Sequence, residues 1–317
     1  MYDVTALGEL LIDFASKGTD EAGYPTMKAN PGGAPGNFLA ALSAYGAKTA
    51  FLGKVGDDTF GKLLLKTIAD AGIETKGIII DPSVFTTLAF VTFGPDGDRS
   101  FSFARKPGAD TRILFEELDL SLIDHARLFH FGTLSLTDEP ARTTTRKAVA
   151  YAKEHGKLIT FDPNLRPPLW TSSEMAKEQI LWGLSNADIV KISDEEVEFL
   201  WGITDERKAA DKLIREYGVK LAMITMGPKG AYLATANASA MVYCPAVKPI
   251  DTTGAGDIFG GSAISQLLKT GKAPEALNTD ELKQIGTYAC TAASLSTQKS
   301  GGIPSIPTAN EVLISIQ

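Results

Sequence analysis

Cysteine and histidine are scarce in this chain of 317 residues: two cysteines, Cys244 and Cys290, and three histidines, His125, His130 and His155. The cysteines lie far apart and no Cys/His pair has metal-ligand spacing, so neither a disulfide framework nor a zinc site is expected. No basic block occurs and the net charge is −7, which speaks against nucleic acid and anionic membrane as partners. No run of about 20 apolar residues exists, so no helical membrane span is expected. The start, Met1-Tyr2-Asp3-Val4, lacks the basic-then-apolar order of a signal peptide. A cytoplasmic protein is the expectation. Internal repeats and low-complexity linkers are missing as well, and one large α/β domain suits this length. What is present, 44% hydrophobic and 22% charged residues, provides for a substantial core.

Short apolar runs alternate with segments of helical spacing along most of the chain. Val4-Thr5-Ala6-Leu7-Gly8, Thr49–Gly56, Leu128–Gly132, Leu158–Asp162, Ile189–Ile192 and Ala222–Gly227 read as strands. Helices are expected at Phe60–Gly72, Ala141–His155, Glu174–Ser185, Glu195–Trp201 and 280–297. This alternation predicts a three-layer α/β/α sandwich with a mostly parallel sheet. Residues 16–30 read as polar and turn-rich. Phe85–Phe93 and Ser100–Ala104, separated by Gly94-Pro95-Asp96-Gly97-Asp98, read as a hairpin, a candidate lid on the α/β pattern.

The stretch that concentrates chemistry is Asp251-Thr252-Thr253-Gly254-Ala255-Gly256-Asp257. A Gly-rich turn that opens a helix leaves backbone N–H groups unpartnered and forms an anion site. Asp257 at its lip either stabilises the helix start or accepts a proton from a hydroxyl attacking phosphorus; the glycines beside it favour the second reading. Pro31–Asn37 is another Gly-rich turn into a helix. Gly56–Lys62 matches most of a phosphate-binding loop, but Leu63 stands where a hydroxyl is needed and two aspartates face the loop, so a plain helix start is expected. Asp13 among apolar residues either caps a turn or aims at sugar hydroxyls. Asp162, Asn164 and Arg166 fall at a strand's C-terminal end, where open parallel sheets bind ligands. Ser193 with Glu196 makes a capping box. His130 is expected to be a satisfied core or edge histidine.

Three motifs in this order, Gly32–Asn37, Gly53–Gly61 and Asp251–Asp257, resemble the ribokinase-like (PfkB) carbohydrate kinases over nearly the whole chain. The resemblance implies phosphoryl transfer from ATP to a sugar hydroxyl. It makes Asp257 the base and the backbone of Gly254, Ala255 and Gly256 the anion hole. It implies a sugar site from Asp13, Gly32, Gly33, Asn37, Phe103, Arg105, Asn164 and Arg166. A nucleotide site follows from Lys191, Ser193, Glu196, Thr225, Gly227, Gly230, Gly254 and Gly256. Glu196 would act on Mg²⁺ through water, although Ser193 replaces the asparagine of that family motif. A K⁺ site would take Asp251, Thr253, Ser296, Lys299, Gly301 and Ser305.

Within the family, Gly97–Phe103, Asp162–Arg166 with Trp170, and Lys191–Glu196 resemble the fructokinase branch. Transfer to the 6-hydroxyl of D-fructose is the expectation. 2-Keto-3-deoxygluconate or another small sugar is the alternative, which Arg105 and Arg166 together would favour. A non-catalytic sugar or nucleotide sensor on the same fold is a third reading. The lid, formed by residues 12–31 and 85–106, would close over the sugar. With Phe85, Phe90 or Phe101 exposed on it, pairing of lids across a homodimer is expected.

Overall fold

The apolar runs form strands buried on both faces, as parallel sheets require. The computed structural model describes residues 1–93 and 99–316. One 10-stranded sheet runs from an edge at Ser239–Val242 through Ala231–Ala234, Leu221–Thr225, Ile189–Ser193, Leu158–Asp162, Ala126–Gly132, Tyr2–Leu7 and Thr49–Gly56 to Ile73–Glu74, with Ile78–Asp81 also paired to Thr49–Gly56. Pairing is parallel except at Ala231–Ala234, which runs antiparallel to both neighbours. The strand order reverses around Tyr2–Leu7, which pairs with Thr49–Gly56 on one side and Ala126–Gly132 on the other. That is where open sheets leave a crevice beyond their C-terminal ends.

Alternate residues of each strand feed two cores. Leu128, Ile189, Leu221 and Met223 face one; Phe129, Phe131, Val190, Ile192, Ala222 and Ile224 face the other. The first is closed by helices Ala34–Ala44, Ala255–Thr270 and Thr279–Ser296, through Leu39, Phe259 and Leu282. The second is closed by Ala141–Glu154, Ser173–Leu184 and Glu206–Tyr217, through Val149, Ile180 and Leu213. Helices on both faces give the three-layer sandwich.

A separate four-stranded sheet takes the order Pro25–Gly32, Leu11–Thr19, Thr87–Phe93, Arg99–Ala104. Its register sets Asn30, Asp13, Ala89 and Phe103 side by side in one row, and residues opposite one another share a face. Here the structure differs from the expectation of a turn-rich 16–30. Most of that segment is strand, with the turn confined to residues 20–24. Residues 17–26 are exposed, so no apolar alternation marks them; pairing to a neighbouring strand, not burial, sets their shape. Phe85 is 68% exposed, whereas Phe90 is half-buried and stacked on Phe14 with ring centroids 5.3 Å apart. The expected turn at 94–98 and the Phe101 side chain lie outside the described residues.

Candidate active site

Among the described residues no side chain caps the start of helix Ala255–Thr270. Gly254, its N-cap, has φ 77° and offers no side-chain acceptor. A Cβ there would lie 2.9 Å from the Gly302 Cα, so glycine is required by both conformation and contact. Among the described residues, the N–H groups of Gly256 and Asp257 have no hydrogen-bond partner. Two open donors at a helix start, with the dipole behind them, make an anion site.

Asp251 pins this turn to the loop that follows helix Thr279–Ser296. Its Oδ1 accepts from the Thr253 N–H (2.9 Å) and hydroxyl (2.7 Å), and its Oδ2 from the Gly301 N–H at 3.0 Å. Its own N–H reaches the Thr297 carbonyl at 3.0 Å. Asp251, Thr253 and Gly301 thus meet in one cluster. The Ser296 and Ser305 hydroxyls turn to carbonyls three residues back, those of Ala293 and Gly302. The Lys299 ammonium points away, 3.6 Å from Glu311.

Asp257 is buried, yet one of its oxygens meets the opposite end of the sequence: Asn37 Nδ2 donates to Asp257 Oδ2 at 2.9 Å. Burial pushes the Asp257 carboxyl above the usual carboxylate range, while Asn37, Lys191 and Arg166 pull the other way. The Lys191 ammonium is buried beside the helix start, 3.1 Å from Asp162 Oδ2. A Cβ on Gly256 would stand 3.0 Å from it. Burial lowers the Lys191 pKa, but Asp162, Glu196 and Asp257 outweigh that and hold it above the ordinary lysine value. A fixed positive charge therefore sits under the anion site.

Asp13 lies at the centre of the row on the smaller sheet. No side-chain hydrogen bond reaches it among the described residues. Burial pushes its carboxyl up to about 7, Arg166 pulls it down, and Asp257 and Asp251 push it up further. Gly32 must be small because a Cβ would come 2.3 Å from Asp13 Oδ2. Gly33, at φ 114°, passes the Glu9 carbonyl at a distance that leaves no room for a side chain. Phe103 is half-buried in the same row. Asn164 takes φ 44°, and its N–H donates to Asp162 Oδ1 at 3.2 Å. Arg166 is half-buried and, among the described residues, bonds only the neighbouring Leu165 carbonyl, at 3.1 Å.

Arg105 departs from the expected sugar contact. Its guanidinium is buried against Asp110 at 2.7 Å, the Thr137 hydroxyl at 2.6 Å and the Leu134 carbonyl at 2.8 Å. Asp138 lies 3.4 Å away. A planar fork engaged on all sides has no donor left to turn toward a ligand. The partners that hold it are distant in sequence from Arg105, apart from Asp110, and no local pattern marks them.

Glu196 completes the expected capping box with Ser193, but its second oxygen also accepts from the Leu165 N–H at 2.8 Å. Thr225 ends its strand, and Gly227 (φ 53°) and Gly230 (φ 119°) turn the chain into the next. At Gly230 a Cβ would collide with the Val242 carbonyl. His130 is a core residue, stacked on Phe38 with ring centroids 3.8 Å apart and bonded to the Thr160 hydroxyl at 3.1 Å. Burial lowers its pKa to about 3, keeping it neutral.

Sequence reasoning missed Glu9 and Asn30. Glu9 is 2% exposed, and its carboxylate accepts from the Ala34 N–H at 2.9 Å, capping the helix that carries Asn37. A carboxylate set directly between Gly8 and Leu10-Leu11 was the available signal. Asn30, 5% exposed, stands opposite Asp13. Only the strand register reveals that.

A model of the pfkB family of carbohydrate kinases matches residues 1–309. The chain belongs to that family and is an ATP-dependent carbohydrate kinase. It is 40% identical to Fructokinase-2 of Solanum lycopersicum over 314 residues, 98% of this chain and 94% of that protein. Among solved structures it is similar to a fructokinase with bound ATP from Xylella fastidiosa, with a TM-score of 0.90 and 29% identity over 100% and 98% of the two chains. It also resembles the fructokinase of Vibrio cholerae O395 in a form with fructose, ADP and calcium ion, with a TM-score of 0.86 and 29% identity over 100% and 99%.

Proposed function

We propose that this kinase is a fructokinase that transfers the γ-phosphoryl group of ATP to the 6-hydroxyl of D-fructose, with Asp257 as the base. The observation that carries the reading is the uncapped helix start at Gly254–Asp257, whose carboxylate is turned from its own helix toward Asn37. Phosphoryl transfer is mostly positioning and charge stabilisation. The Gly256 and Asp257 N–H groups, with Lys191 beneath them, hold the transferring phosphoryl group as its charge shifts. Asp13, Asn37 and Arg166 orient the sugar, and Gly32 and Gly33 let it approach the backbone. Asp257 takes the hydroxyl proton. Thr225, Gly227 and Gly230 shape the nucleotide turn. The smaller sheet acts as a lid that excludes water, which suppresses ATP hydrolysis.

The ATP-bound structure of one relative and the ADP- and calcium-bound structure of another support a divalent metal alongside the nucleotide. Mg²⁺ would neutralise phosphate charge. Glu196, both oxygens of which already accept backbone N–H groups, fits a hold through water rather than direct ligation. The oxygen-rich cluster of Asp251, Thr253 and Gly301, with Ser296 and Ser305 nearby, suits K⁺; Lys299 takes no part, being turned to Glu311.

A substrate carboxylate, as in 2-keto-3-deoxygluconate, would call on Arg105 together with Arg166. The engagement of Arg105 by Asp110, Thr137 and Leu134 favours a neutral sugar. The reading also places a homodimer at the lid, supported by Phe85 and Tyr24, 68% and 70% exposed; a monomer by sedimentation at micromolar concentration counts against it. No described helix is long and apolar enough to cross a membrane. Two free thiols, Cys244 and Cys290, suit a reducing compartment, and the reading is of a cytoplasmic enzyme.

The test is ATP consumption with a panel of sugars, for the native chain and for Asp257→Asn. Fructose is expected to give the highest kcat/KM, and Asp257→Asn to lower kcat roughly 10²-fold or more with a modest change in KM. Turnover of another sugar in preference to fructose overturns the acceptor. Near-native turnover by Asp257→Asn overturns the base, and no turnover with any sugar favours a sensor.

A further inference from the structure

We infer that Asn37 is a positioning residue for the base: its amide holds one carboxylate oxygen of Asp257 so that the other faces the sugar hydroxyl. The inference rests on Asp257 being the base, and deepens that reading by assigning Asn37 a task other than binding sugar. Asn37 and Asp257 are 3% and 9% exposed, and the bond between Asn37 Nδ2 and Asp257 Oδ2 is 2.9 Å long. The orientation of the amide follows from its partner. The opposite flip would set the amide oxygen against a carboxylate oxygen.

This pose leaves Asn37 Oδ1 buried and, among the described residues, without a partner. An orphaned buried acceptor is costly, so the fold holds the amide in place against that penalty. Three features do so. The Asn37 N–H is bound to the Gly33 carbonyl at 3.0 Å, inside the first turn of its helix. A Cβ on Gly302 would lie 2.3 Å from Asn37 Oδ1, and one on Gly254 would lie 3.2 Å from Nδ2. The two glycines therefore form a slot that admits a flat amide between them.

The consequence falls on Asp257 Oδ1, which has no hydrogen bond among the described residues. The χ2 torsion of an aspartate is soft, and a base whose lone pair wanders loses the alignment on which proton transfer depends. Fixing Oδ2 fixes Oδ1. The same N–H···O bond also favours the ionised carboxylate against the effect of burial.

The test is the pH profile of phosphoryl transfer in single turnover at saturating ATP and sugar, for the native enzyme, Asn37→Ala, Asn37→Asp and Asp257→Asn. Loss of the donor disfavours the ionised base, so the acid limb of Asn37→Ala is expected to move to higher pH. Its rate on the plateau is expected to fall about 10-fold or more through lost orientation. Asn37→Asp keeps the shape and places a like charge beside the base, so its acid limb is expected to move further; it also carries the test should Asn37→Ala fail to fold. A raised KM for sugar with a native single-turnover rate and an unmoved limb would show that Asn37 only binds sugar, and the inference falls. Beside an inactive Asp257→Asn, that result leaves the base reading standing. If Asp257→Asn transfers phosphate at the native rate, the base reading itself has failed.

Discussion

Two helices of this chain open with a glycine-bearing turn and an aspartate, and their starts behave in opposite ways. At Thr59–Asp70 the aspartate is the N-cap: Asp58 Oδ1 accepts from the Phe60 and Gly61 N–H groups, at 2.9 and 2.8 Å. Its other oxygen takes the Thr86 N–H at 2.8 Å. At Ala255–Thr270 the aspartate lies inside the first turn, and its carboxylate goes to Asn37 instead of the helix's own donors. The first helix start is satisfied and closed to anions. The second remains open, with a lysine beneath it. An anion site is thus a helix start that the chain has declined to cap, and the position of one carboxylate relative to the first turn decides which of the two is made. A third start, at Ala34–Ala44, has its first N–H taken from a distance by Glu9.

The contrast can be broken at the open end first. Gly256→Ala places a methyl group 3.0 Å from the Lys191 ammonium, in the residue that carries one of the two open donors. It is expected to cut kcat/KM for ATP by about 10–100-fold, read in steady-state kinetics, while thermal stability stays near native. Native kinetics in this variant would remove Gly256 from the phosphate cradle. Asp58→Ala should do the reverse. It leaves three N–H groups unpartnered and is expected to cost roughly 2–3 kcal/mol in urea unfolding, with kcat per folded molecule unchanged. A loss of kcat there would mean that the closed start takes part in chemistry after all.

The smallest effect is expected at Glu9, where burial pushes the carboxyl up to about 7. A carboxyl whose pKa is raised on folding contributes stability below its unfolded pKa and loses it as pH rises through the folded value. Glu9→Gln keeps the acceptor for the Ala34 N–H and removes that dependence. It is expected to match the native protein near pH 5 and to exceed it by about 1–2 kcal/mol near pH 8. Equal stabilities at both pH values would show that Glu9 is ionised throughout.

What the sequence made legible was local. The parallel-sheet strands are short apolar runs because both their faces are covered, and helix ends such as Ser193 with Glu196 carry their own caps. The turn at Asp251–Asp257 is readable for the same reason: its glycines and its aspartate fall within seven positions, although the contacts that pin it to Thr297, Gly301 and Gly302 do not. The lid was legible only in part. Its outer residues face water, so no alternation marks 17–26, and the row that joins Asn30 to Asp13 exists only in the register. Arg105 looked like a ligand contact because its partners Leu134 and Thr137 lie 29 and 32 positions away, in the loop after strand Ala126–Gly132. Lys191 could be named, but its depth beneath Gly256 could not, since that depends on how two strands and a helix pack.

The bond between Asn37 and Asp257 joins residues 220 positions apart. A ribosome adding about 5–20 residues per second needs roughly 10–40 s to travel from one to the other. At the start of that interval the growing chain carries Asp13, Gly32, Gly33 and Asn37 of the residues proposed to hold sugar; Arg166 follows during it, and the turn proposed to hold phosphate and the base come last. The helix that carries Asn37 also waits for Ala255–Thr270 and Thr279–Ser296, the helices with which it closes its core. Activity arrives all at once, with the last fifth of the polypeptide, and a chain cut short releases no half-working enzyme.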